Sequence, residues 1–120
     1  MKLDTFLEIK NNHGDCGSWA IWGEEEETPK SNIGDLSILD PTLNTKLLAQ
    51  LKPEIVFVGL NFSTMENVES FSNFHSSSST AQDYKIRYAL KDTKFWGSYM
   101  TDIIKNFPEK HSNLMLEIYK

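Results

Sequence analysis

The chain has a single cysteine, Cys16, so no disulfide can close within it and a reducing compartment suffices. It has no apolar run near the roughly 20 residues that cross a bilayer. Asp4, Glu8 and lysines interrupt the opening "MKLDTFLEIKNN", which leaves no signal-peptide core there. Positive charge is also scarce: 12 Lys and Arg stand against 17 Asp and Glu, a net charge of −5. That balance argues against broad electrostatic binding to duplex DNA and leaves room only for a local basic patch. No glycine-rich phosphate loop occurs, and no histidine stands at a spacing that would make Ser63 a nucleophile. A cytoplasmic protein with no membrane partner, no metal and no cofactor is expected.

What is present reads as one α/β domain spanning residues 1–120, with 39% hydrophobic and 24% charged residues. Leu3, Phe6 and Leu7 at helical spacing, with Gly14 as a stop, predict a helix over 2–12. "SWAIW" follows as a strand or extended segment, and "GEEEETPKSNIGD" as a polar connection whose four glutamates form a solvated loop. Asp40 before Pro41 predicts a helix start, with Leu43, Leu47, Leu48 and Leu51 as its apolar stripe and Pro53 as its end. Ile55 to Val58 is short and branched, the pattern of a strand buried on both faces.

After Ser63 the sequence turns polar, and "HSSSST" predicts a mobile loop at the mouth of a site. Thr80 with Asp83 predicts a capped helix to about Leu90, "SYMTDII" a second strand, and "SNLMLEIYK" a last helix. If the two strands run parallel and adjacent, Asn61 and Asp102 lie near their carboxyl ends, where open α/β sheets bind ligands. So small a sheet also leaves open edges to cover.

"IVFVGLNFS" followed by "FWGSYMTDIIK" resembles the uracil-DNA glycosylase superfamily, in particular small members that share stretches like "GSWAIW", "SNIGDLSILD" and "AQDYKIRYALKDTK". The resemblance implies a three-layer α/β/α fold around a small, mostly parallel central sheet. It implies that Asn61 positions the attacking water and that an aromatic, Phe62, Phe71 or Phe74, stacks on a flipped base. Asp102 takes the position of the base-reading amide. DNA or a nucleobase is then the partner, with Lys85, Arg87, Lys91 and Lys94 as the candidate nucleic-acid contacts.

Three features depart from that pattern. Phe62 stands in place of a proline, and Asp102 offers only acceptors where an amide would offer both a donor and an acceptor. The family's late motif, a histidine and a Pro/Ser loop after a further strand, has no counterpart in these 120 residues. The alternative expectation is a non-catalytic acidic protein that inhibits or binds a DNA-binding partner, or a homodimer formed through an open sheet edge.

The remaining residues draw plainer readings. His13, Asp15 and Cys16 form a local turn, His75 is a surface residue in a serine-rich loop, and Trp19 and Trp22 belong to the core or cover an edge.

Overall fold

The computed structural model describes residues 1–61, 69–78 and 81–104, with the side chains of 60, 61, 103 and 104 set aside. Residues 2–12 form a helix as expected, here α1 (Leu3–His13), which buries Phe6. The first tryptophan segment contributes a short strand, β1 (Gly17–Trp19), and continues as extended chain. β2 (Lys52–Asn61) and β3 (Ser98–Ile104) are the two strands expected from the branched runs. The sheet order is β1-β3-β2, with β2 parallel and β1 antiparallel to β3. The fold is therefore α/β with a small mixed sheet, one parallel pair and one antiparallel pair.

Successive residues of a strand face opposite sides of a sheet, and β3 uses this to feed two cores. Tyr99 packs against the cluster of Phe6, Trp19, Ile21, Leu39, Leu47, Leu51 and Phe71. Met100 belongs to the other cluster, with Ala20, Trp22, Ile33 and Leu90. Leu90 ends α3 (Asp83–Leu90), so helices cover both faces of β3. Trp19 and Trp22 are both buried, as core residues.

Two expectations are corrected. The helix over Pro41 to Leu51 is reduced to α2 (Leu47–Gln50). Asp40 does cap a turn, its carboxylate accepting from Thr42 N and Oγ1 at 2.9 and 2.7 Å. Asn44 then interrupts the run: its Nδ2 reaches back to the Ile38 carbonyl at 2.8 Å and its Oδ1 accepts from Lys46 N at 3.3 Å. Such side-chain bonds compete with helical ones.

The second correction concerns β2, which starts at Lys52 and takes in Pro53, where proline is tolerated because the strand lies at an edge of the sheet among the described residues. Its apolar run is not buried on both faces: Val56, Phe57 and Val58 are 52%, 41% and 56% exposed. At the start of α3 (Asp83–Leu90), Gln82 makes no side-chain cap bond, and Asp83 accepts from Ser76 N at 2.8 Å. Thr80 and the expected helix over "SNLMLEIYK" lie outside the described residues.

Candidate functional site

The loop over 69–78 is held through its own backbone groups. Ser18 Oγ donates to Phe71 O at 2.7 Å and Trp22 Nε1 to Phe74 O at 3.0 Å, while Phe71 N donates to Gly14 O at 2.7 Å. These bonds fix Phe71 and Phe74 at φ of 64° and 67°, a left-handed conformation that costs a non-glycine residue about 1–3 kcal/mol. Phe71 points into the core, its ring centroid 5.5 Å from that of Phe6. The same anchoring delivers Asn73 and Phe74 to the carboxyl half of the parallel strand pair.

There Asp102 is fully buried and pairs in register with Gly59. Asn73 Nδ2 donates to Asp102 Oδ2 at 3.3 Å. Asp102 Oδ1 lies 2.5 Å from the place a Cβ on Gly59 would take, and Phe74 Cε1 lies 3.7 Å from the same point. Glycine at 59 is thus required by a carboxylate approaching the neighbouring backbone. A buried carboxylate, a carboxamide that both donates and accepts, and an aromatic ring converge on one strand end.

Behind this cluster, His75 is buried and stacked on Trp22, with ring centroids 5.3 Å apart. Its Nδ1 lies 2.9 Å from Asn73 O and 3.3 Å from Ser18 Oγ, and its Nε2 lies 2.9 Å from Ile21 O. A neutral imidazole has one N–H, so it satisfies one of the two carbonyls at a time. Burial pushes its pKa below the ordinary value, against the upward pull of the two carbonyls and of Asp83. The expectation of a surface histidine is therefore corrected: a carbonyl on each side draws the ring inward.

Of the expected site residues, the structure brings together Asp102 and Phe74. Asn61 continues β2 two residues past Gly59, its backbone in register with Ile104. Its side chain, like all of Phe62, lies outside what is described. Asn73 was not singled out from the sequence; nothing but its place in a polar loop marked it.

Arg87 departs from its expected role as an exposed nucleic-acid contact. It is buried, with Nη1 donating to the carbonyls of Gly23 and Ser31 and Nη2 to Pro29 O at 2.7 Å. Its position three residues from both Tyr84 and Leu90 on α3 was the available signal, because that spacing shares a helix face. Lys85, Lys91 and Lys94 are exposed. Lys94 sits toward the amino ends of the strands, where its carbonyl accepts from Lys52 Nζ at 2.8 Å.

An open cleft of about 760 Å³ occupies that amino end, lined in part by Trp22, Trp96, Lys52, Lys91, Glu24 and Asp92. It has mixed charge and lies away from Asp102. Among the described residues no three His, Cys, Asp or Glu side chains gather to hold a metal ion, and no helix is long and apolar enough to cross a membrane. No protein-family model matches the chain, and no curated protein or solved structure matches it.

Proposed function

We propose that the chain is a nucleobase-binding protein of the uracil-DNA glycosylase type, a three-layer α/β/α domain whose site lies at the carboxyl ends of β2 and β3. The observation that carries this reading is the convergence of Asp102 and Phe74 on Gly59, two residues before Asn61. Phe74 supplies the stacking face and Asn61 the amide that positions water at the sugar. Asp102, paired with Asn73, sits where the base edge is read. A carboxylate there favours a base that presents N–H donors and disfavours negative charge on a leaving base, so the site suits binding better than excision.

The test is fluorescence anisotropy of labelled single- and double-stranded DNA, with and without uracil, at low and higher salt. Saturable binding that weakens with salt is expected, and excision that disappears in Asn61→Ala would add the catalytic role. Absence of binding at low salt overturns the reading.

A second reading, an acidic interaction protein, draws on a different observation. Arg87 ties down the carbonyls of Gly23, Pro29 and Ser31, and Asn32 Nδ2 holds Glu24 O at 2.8 Å. The loop carrying the exposed Glu24 to Glu27 is thus fixed at both ends. A presented acidic surface suits a basic, DNA-binding protein partner. Capture of such a partner that fails when the four glutamates become glutamines, with no DNA binding by the chain itself, would favour it.

A further inference from the structure

At the end of the sheet opposite Asp102, Gly97 joins three stretches of backbone. Its N–H donates to Ala20 O at 2.9 Å and its carbonyl accepts from Lys52 N at 2.8 Å, so the chain after β1 and the start of β2 flank it on either side. The open cleft of about 760 Å³ is lined from all three stretches and inherits their order. One flank is the continuation of β1, which carries Glu24 and Glu25. The centre is Trp96, half-buried, packed against both cores and with its ring centroid 5.7 Å from that of Trp22. The other flank is Lys52. Sheet order thus sets carboxylates and an ammonium on opposite sides of an aromatic floor.

Both flanks are held in place. Lys52 Nζ donates to Lys94 O at 2.8 Å, which uses one of its three N–H groups and leaves two. The acidic flank is pinned by Arg87 through the carbonyls of Gly23, Pro29 and Ser31, and by Asn32 Nδ2 on Glu24 O. No hydrogen bond occupies the carboxylate of Glu24 or Glu25 among the described residues. With Arg87 beside them the two glutamates leave one negative charge in excess, Lys91 and Asp92 cancel, and Lys52 leaves one positive charge on the far side.

We infer that this cleft is a second binding site, independent of the nucleobase reading, for a short peptide with free termini and an aromatic middle residue. An anion alone would face the glutamates and a cation alone would face Lys52, whereas a zwitterion satisfies both flanks at once. The flanks stand two strand spacings apart, about 9.6 Å. An extended peptide advances about 3.3–3.6 Å per residue, so three residues set its ammonium by Glu24 and Glu25 and its carboxylate by Lys52. The middle side chain then lies over Trp96. Small-ligand sites occupy about 300–1,000 Å³, which this cleft matches. Flanks already fixed by backbone bonds lower the ordering cost of binding.

The experiment is calorimetric titration of the full chain with the tripeptide Gly-Phe-Gly, its N-acetylated form and its C-terminal amide. Saturable binding of the free peptide is expected, with each blocked form about fivefold weaker, the scale of a part-exposed ion pair. In Glu24→Gln/Glu25→Gln acetylation should cease to matter, and in Lys52→Met amidation should cease to matter. Both glutamates are exposed, so the first variant keeps the fold. Should Lys52→Met unfold, the amide on the unaltered chain still measures that flank. No binding of the free peptide up to about 10 mM overturns the inference. Equal binding of all three forms does so too, since the charged flanks then contribute nothing. Tighter binding of a singly charged form overturns it by showing an anion or cation site, as does an acetylation effect that persists in the double glutamine variant.

Discussion

Asp102 Oδ1 occupies the space where a side chain at Gly59 would begin, 2.5 Å from the point its Cβ would take. The two residues are register partners on adjacent parallel strands, so neither can move without shifting the ladder. The apolar run of β2 halts on glycine because the neighbouring strand brings a carboxylate against its backbone.

Gly59→Ala is therefore expected to destabilise the protein by about 1–3 kcal/mol, the usual cost of overpacking a filled site. Chemical denaturation checks it. The double variant Gly59→Ala/Asp102→Ala should recover part of the loss; a loss in the double variant equal to the sum of the two single losses would show that the carboxylate is not what excludes the methyl group.

Asn73→Ala removes a donor from the buried Asp102 carboxylate, at an expected cost of about 1–3 kcal/mol. Because Asn73 O also faces His75, the change leaves the backbone bond in place and isolates the amide. If the site binds nucleobases, affinity should fall in Asn73→Ala and in Phe74→Ala. Unchanged affinity in both would remove this cluster from the binding surface.

Arg87 makes the sharpest distinction between a structural and a binding arginine. Its guanidinium bonds three carbonyls of one loop, so Arg87→Met should cost about 2–4 kcal/mol and release the amides of 23–31 to hydrogen exchange. Lys85→Ala, Lys91→Ala and Lys94→Ala should each leave stability within about 0.5 kcal/mol and, where DNA is bound, lower the salt dependence of affinity. An Arg87→Met protein of unaltered stability would contradict the geometry.

The strands and α1 were legible because their signals are local: branched runs, a helical stripe and a terminal glycine. The order of the sheet was not. "IVFV" reads as buried on both sides, yet its neighbours are set by tertiary placement, which a short run does not encode. The helix from Pro41 failed at Asn44, whose side chain competes with the backbone in a way that depends on reaching Ile38 O. Arg87 and His75 were missed for a shared reason. Their partners are backbone carbonyls, all but Asn73 O far away in the chain, and a carbonyl carries no mark of residue type. Asp102 was found as a candidate because it falls near the carboxyl end of a strand, where open α/β sheets bind ligands, while the Asn73 that supports it came from a loop without pattern.

The last prediction concerns pH. His75 is buried with its pKa below the ordinary 6.5, chiefly through desolvation of the charged ring, so the unfolded chain takes up a proton before the folded one does. Its contribution to stability is then fully present above about pH 6.5 and is lost as the pH falls from there toward the folded pKa. Asp83 acts in the opposite sense and in a more acidic range. Burial raises its pKa above 3.8, so its contribution is largest in acid and declines as the pH rises through the folded value. Denaturation midpoints measured from pH 8 downward should first fall below about 6.5. In His75→Gln that decline should disappear while the Asp83 response in stronger acid persists. A decline that survives in His75→Gln would assign it to another group. Because His75 faces the carbonyls of Asn73 and Ile21, protonation also alters the anchoring of the loop that carries Phe74, and ligand affinity should shift over the same pH range as stability.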